Sequence, residues 1–321
     1  MINEDKIKQA IPHALRTVDL EGHGQKIQGK VRDMYLSNNK RIIITTDRQS
    51  AFDVVLGLIP YKGAVLNKLS GWWFEKTKNI VPNHIIQIPD PNVSIVKNLK
   101  AIPVEMIVRG YMTGSTNTSI WHSYEKGERT IYGIDFPEGL KKNDKLPTNV
   151  ITPTTHADVG AHDERLTREQ IISSKLVEEK LYTQMEEVAL SIFAYGQKVA
   201  SEHGLILVDT KYEFGLDETG QLTIMDEVHT PDSSRFWIAD TYEGLHNEGK
   251  EPESLSKEFL RLWYKDQGYT GEGEAPSLPD HLASDLAKFY IEAYERLTGE
   301  DFELFDYPIE QRIKKNLSAN S

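Results

Sequence analysis

The sequence contains no cysteine. That excludes a disulfide framework, thiol nucleophiles and cysteine-ligated metal centres, and it suits a reducing compartment. No run approaches the roughly eighteen apolar residues of a membrane span. The opening stretch, Met1-Ile-Asn-Glu-Asp-Lys6, lacks the basic flank and apolar run of a secretory leader. A cytoplasmic location is therefore expected. Basic residues are outnumbered, 37 against 49, for a formal net charge of −12. Such a surface repels nucleic acid and anionic lipid, so small molecules are the expected partners. Internal repeats and low-complexity tracts are absent. So are the phosphate loop G-x-x-x-x-G-K-[ST], the dinucleotide fingerprint G-x-G-x-x-G, the zinc motif H-E-x-x-H and the serine elbow G-x-S-x-G.

What remains is an ordinary globular composition. Of 321 residues, 39% are hydrophobic and 27% charged. A chain this long exceeds the usual single core, so two lobes are expected, 1–103 and 104–321. In the first, Lys26 to Leu36 and Lys40 to Thr46 predict two strands about a turn at Ser37-Asn38-Asn39. The spacing of Val65, Leu66, Leu69, Trp72 and Trp73 predicts a helix from Gly63 to Asn79. A strand over Val104 to Tyr111 opens the second lobe. Gly127 to Leu166 reads as a long loop, the kind that is functional or mobile, and it holds His156 and His162. Thr167 and Gln170 form a capping box for a long helical stretch ending at Gly204. A hairpin follows, Leu205 to Phe214 with Gln221 to Val228. Helices are expected over roughly Ser233 to Asp240, Ser254 to Gln267 and Pro279 to Thr298. Neighbouring hairpins predict an α+β fold of antiparallel sheets with a nucleotide cleft between the lobes.

An acidic chain that takes an anionic substrate needs local cations, so clustered Arg and Lys carry information. The hairpin is richest. Asp209, Lys211 and Glu213 share one face by alternation. With a four-residue loop over Asp217 to Gly220, Lys211 lies opposite Asp226, and Glu213 is the diagonal neighbour of Asp226, about 7–8 Å away. Two carboxylates so placed can grip a hard cation whose remaining ligands are phosphate oxygens. A one-residue slip would turn Asp226 to the other face and put Glu227 in its place. The competing reading is a solvated hairpin face.

Four other stretches combine polar groups with turn or strand-end positions. In Thr230 to Trp237, Asp232, Ser233 and Ser234 are good helix N-caps beside Arg235, which makes an anion site or plain capping. In Val108 to Ser115, Arg109 leaves a strand, Gly110 and Gly114 allow backbone to approach a ligand, and Ser115 opens a helix. That suits a phosphate, or a surface Arg with a cap. In Gly29 to Asp33, Lys30 and Arg32 alternate on one strand face, which suits a triphosphate or an exposed basic edge. In Thr46 to Asp53, the residues Asp47, Ser50 and Asp53 fit turn chemistry or substrate contact.

Taken in order, G-K-V-R-D, T-D-R-Q-S-A-F-D, P-V-E-M-I-V-R-G-Y-M-T-G-S, D-T-K-Y-E-F-G and D-E-V-H-T-P-D-S-S-R-F-W span residues 29 to 237 and resemble the SAICAR synthetase family. The resemblance implies an ATP- and Mg2+-dependent ligase of de novo purine biosynthesis. In that reaction ATP, carboxyaminoimidazole ribonucleotide and L-aspartate give the succinocarboxamide, ADP and phosphate. It implies a two-lobed fold related to ATP-grasp enzymes and protein kinases. It implies Glu213 and Asp226 as metal ligands and, with Lys211, as catalytic residues. Lys30 and Arg32 would lie over the ATP phosphates, with Glu105 and Met106 near the adenine. Arg109, Ser115 and Arg235 would bind the ribotide phosphate, Lys211 would meet substrate carboxylates, and Asp232 would lie close by. His229 stands where the family pattern usually carries Leu. A small-molecule kinase or a non-catalytic nucleotide-binding module would share parts of this pattern without needing the aspartate amine.

Overall fold

The computed structural model describes residues 2–37, 40–52, 54–155, 163–255 and 258–319. Two antiparallel sheets dominate it. The first has five strands in the order Gln25–Gln28, Arg32–Ser37, Lys40–Thr45, Val93–Lys97, Ile85–Asp90. Lys26 to Leu36 is thus not one strand. The chain folds back over Gly29-Lys30-Val31, with Gly29 N–H donating to the Arg32 carbonyl at 2.8 Å. Lys30 therefore sits at a hairpin tip rather than beside Arg32 on a strand face.

The second sheet runs Lys145–Ile151, Val104–Tyr111, Leu205–Leu216, Ser234–Ile238, Ser254–Leu255, with Thr154–Thr155, Leu222–Met225 and Lys100–Ala101 at its margins. Val104–Tyr111 forms where the sequence places it. Part of the expected long loop, Lys145–Ile151, is instead an edge strand on it. One face of this sheet carries Val104, Met106, Val108, Tyr212 and Phe214 into the main core, against the helix Glu179–Glu202. By alternation the other face carries Glu105, Arg109, Asp209, Lys211 and Glu213.

The helix Lys62–Thr77 lies against Asp280–Thr298, and both supply the same core. The helix Glu310–Ser318 returns to the five-stranded sheet. There Ile313 and Leu317 join Leu15, Tyr35 and Ile44, and Arg312 holds the Asp90 carboxylate with two bonds of 2.9 Å. Among the described residues no helix is long and apolar enough to cross a membrane.

Two helix expectations are corrected. The Thr167–Gln170 capping box is present, but the helix it starts stops at Ser173 and a new one begins at Glu179. Ser173 and Ser174 turn their hydroxyls onto carbonyls one turn back, and Lys175 is left-handed at φ 58°, so the ladder cannot continue. Ser233 to Asp240 is not a helix. Ser234–Ile238 is a strand beside Leu205–Leu216, and a helix begins only at Ala239. The alternation of buried Ser234 and Phe236 with Arg235 prevails over capping propensity, because a sheet edge was there to be covered.

Candidate active site

A cleft of about 910 Å3 opens between the Gly29–Arg32 hairpin and the polar face of the larger sheet. Strand register sets out that face in rows. In the first row, Asp209 pairs laterally with Arg109 on one neighbour and Arg235 on the other. Its carboxylate accepts from Arg109 at 3.2 Å and lies 3.8 Å from Arg235. Arg109 also donates to the Thr152 hydroxyl at 2.9 Å and the Thr118 carbonyl at 3.1 Å, which holds it rigidly. Burial pulls its pKa down, and Asp209 works against that pull. Two guanidiniums to one carboxylate leave surplus positive charge, and Arg235, with 30% of its side chain exposed, presents it. Sequence reading missed the part of Asp209. The signal was its place two residues before Lys211 on the same strand face.

In the second row the Lys211 ammonium bridges Glu105 at 2.6 Å and Glu213 at 2.8 Å. Burial alone would lower the Lys211 pKa, but Glu213 and Glu105 outweigh it, so the ammonium keeps its proton. Burial, followed by the nearby Asp226 charge, raises Glu213 above the usual carboxylate range.

The third group comes from the hairpin end. The pairing is Glu213 with Met225 and Leu216 with Leu222, so the loop has five residues and the expected register is off by one. Lys211 is not opposite Asp226. A continued ladder in this register would have turned Asp226 away from Glu213. The ladder stops at Met225 instead, and Asp226 takes a left-handed φ of 66°, which returns it to the cleft alongside Glu213. Arg32 reaches across from the opposite hairpin to pair with Asp226 and, at 3.3 Å, with Glu227. Burial would raise Asp226, yet Arg32 and Lys211 hold it below the ordinary range; burial raises Glu227 despite Arg32. His84 lines the same cleft, and burial depresses it to about 3, so its ring is neutral.

The structure brings Lys30, Arg32, Glu105, Lys211, Glu213 and Asp226 together around this cleft. Other expected residues fall elsewhere. Met106 points into the main core because it alternates with Glu105. Ser115 is exposed in a loop; the helix after it begins at Ile120. Gly110 makes room for Gln197 and Asn149 of the fold, and Gly114 for Ser119, rather than for a ligand. Asp232 pairs with the buried Lys62 at 2.9 Å and accepts from Tyr290 at 2.6 Å. Ser233 and Ser234 bond to Thr230 and Thr210, so they brace a turn and a strand start rather than cap a helix. Asp47 is wholly buried, accepting from Leu15 N–H, Gly63 N–H and the Tyr307 hydroxyl. Ser50 belongs to the small Arg48–Ala51 ladder. Asp53, His156 and His162 lie outside the described residues. Sequence reading also missed an apolar wall of the cleft, formed by Ile43, Val96, Leu99 and Ile102.

Among the described residues no three His, Asp or Glu side chains converge as a metal cage. Two acidic side chains at one wall of an open cleft suit magnesium, which binds one or two carboxylates and takes its other ligands from phosphates and water. The donor set thus fits that ion.

The SAICAR synthetase family profile matches residues 25–276. The phosphoribosylaminoimidazole-succinocarboxamide synthase of Legionella pneumophila (strain Lens) is 49% identical over 298 residues, covering 92% of this chain and 95% of the relative. The chloroplastic synthase of Arabidopsis thaliana is 45% identical over 319 residues, covering 97% and 77%. A solved SAICAR-synthase from Saccharomyces cerevisiae, complexed with SAICAR, has a TM-score of 0.79 at 34% identity, covering 91% of this chain and 100% of that one. A SAICAR synthetase solved in complex with ADP has a TM-score of 0.65 at 26% identity, covering 87% and 100%. With the profile, the sequence identities and the fold all matching, the chain belongs to the SAICAR synthetase family.

Proposed function

We propose how this cleft performs the family's reaction. The chain is an ATP-dependent, amide-forming ligase of purine biosynthesis that joins L-aspartate to the carboxylate of carboxyaminoimidazole ribonucleotide, releasing SAICAR, ADP and phosphate. One observation carries the assignment of parts: a single sheet face bears a guanidinium pair in one row and, in the next, an ammonium between carboxylates that lines the cleft with a basic hairpin.

The adenine lies on the apolar wall of Ile43, Val96 and Leu99, with Glu105 at its edge and Met106 contributing backbone only. The triphosphate lies between the Lys30 and Arg32 hairpin and the Glu213–Asp226 pair. Glu213 and Asp226 would hold magnesium, which supplies charge neutralisation to the β and γ phosphates. The ribotide phosphate binds at Arg235, in the field of Arg109. The two-lobed organisation with a boundary near 103/104, and the kinship with ATP-grasp and kinase folds, belong to the same proposal. The basic hairpin over the triphosphate supports them. A cytoplasmic setting also belongs to the proposal, since a chain without cysteine has no disulfide to lose there.

A carboxylate is a poor acyl donor because oxide is a poor leaving group. The ribotide carboxylate oxygen attacks the γ-phosphorus and the bond to ADP breaks, giving an acyl phosphate. The aspartate ammonium first gives a proton to solvent; the amine attacks the acyl carbon, the bond to phosphate breaks, and the nitrogen gives up a second proton to leave the neutral amide. Lys211 keeps its proton, so it acts by charge and position rather than as a base.

Sustained ADP release with ATP, ribotide and aspartate omitted in turn tests the reading. All three are required; sustained release without aspartate would mark a kinase instead. Arg235→Ala is expected to raise the ribotide KM about tenfold, the loss of one charge-assisted contact, with the ATP KM within about twofold. Equal rises would remove the phosphate role.

A further inference from the structure

The turn bearing the proposed metal ligand is held in an unfavourable backbone conformation. Asp226 has φ 66° and His229 has φ 48°, and neither is glycine. Left-handed conformations are uncommon outside glycine; Asp and His enter them more readily than most, and their surroundings must still enforce them. The backbone ladder does not supply that enforcement, because its last rung is Glu213 with Met225. Beyond it, among the described residues, the ladder between the strand carrying Glu213 and the segment carrying Asp226 ends.

A side-chain bond stands in the place of the next rung. Tyr212 lies between Lys211 and Glu213 but faces the core, and its hydroxyl meets Nε2 of His229. Both side chains are fully buried. The His229 ring stands edge-on to Trp73, with centroids 4.6 Å apart at 89°. It is seated against helix Glu179–Glu202 at Gly196, where a Cβ would come within 2.2 Å of its Cε1. Val228, also in the core, anchors the middle of the turn. Burial keeps the imidazole neutral, with a pKa near 3, so the ring offers one donor and one acceptor at any working pH.

We infer that Tyr212 and His229 are positioning residues whose hydrogen bond, behind the cleft, fixes the separation of Glu213 and Asp226 and thereby the affinity for the divalent cation. This rests on the metal reading above. Neither residue touches substrate.

The test uses the full chain with Mn2+ as probe, its binding measured by electron paramagnetic resonance with a non-hydrolysable ATP analogue present. Tyr212→Phe and His229→Leu each delete the bond from one side. Both are expected to weaken Mn2+ binding about tenfold, the usual cost of losing an outer-sphere partner, while ribotide affinity stays within about twofold. His229→Gln can place an amide nitrogen near the lost Nε2 and is expected to restore most of the affinity. Folded Tyr212→Phe or His229→Leu protein with wild-type Mn2+ affinity overturns the inference. So does an equal loss of ribotide affinity, which marks general loosening of the core. Asp226→Asn is the reference: if it still binds Mn2+ normally, the metal reading fails instead.

Discussion

Asp226 and Asp47 both lie in polar motifs that follow an apolar strand, and the fold treats them in opposite ways. Asp226 keeps 22% of its side chain exposed, and its neighbours are the side-chain cations of Arg32 and Lys211. Asp47 is fully buried, and two of its three partners are backbone N–H groups that the fold itself holds in place. The protonation balance follows the partners. Two cations overcome burial at Asp226 and hold its pKa low; at Asp47 burial wins and raises it from 3.8 to about 6. Cationic side chains can be shared with an incoming anion, whereas backbone donors fixed by the fold cannot. The first carboxylate therefore belongs to chemistry and the second to architecture.

The largest test of that contrast is Asp226→Asn. Turnover is expected to fall roughly a thousandfold, as when a preorganised charge is removed from a transition state. The thermal midpoint should stay within about 3 °C. Near-normal turnover in steady-state assays would erase the distinction from one side.

Next comes the pH dependence of stability. The folded-state pKa of Asp47 is raised, so the unfolded chain releases this proton first. Stability is then lost between about pH 4 and pH 6 and does not return above that range. The displacement corresponds to about 3 kcal/mol. Urea unfolding across that range should show a steeper fall for the wild type than for Asp47→Ala; equal slopes would mean Asp47 is ionised without penalty.

The smallest effect is that of Tyr307→Phe. It removes one donor from Asp47 and the acceptor of the Tyr61 N–H, at 2.8 and 2.7 Å. A loss of about 2 kcal/mol in unfolding free energy is expected, with the ATP and ribotide Michaelis constants unchanged. A changed ribotide KM would tie this buried network to the cleft after all.

Much of the site could be read from residues close together in the chain. Alternation put Asp209, Lys211 and Glu213 on one face, and the strand Val104–Tyr111 supplied Glu105 and Arg109 as expected. The capping box at Thr167 was visible because it needs only four consecutive residues. The misread elements depend on neighbours distant in sequence. Ser234–Ile238 became a strand because Leu205–Leu216 offered it an edge. Asp232 lost its place as a cap to Lys62 and Tyr290, and Met106 was drawn into the core while Glu105 faced the cleft.

Side-chain chemistry, alternation and the order of five polar motifs are written in the chain itself, and they were enough to indicate an antiparallel α+β enzyme handling phosphates and carboxylates. The sequence could not give the hairpin register, the left-handed turn that recovers Asp226, or the company each carboxylate keeps. Those depend on long-range pairing, and a shift of one residue reverses which face a strand's side chains occupy. Only packing of the whole molecule, Tyr212 on His229 and Arg32 across the cleft, decided between the alternatives.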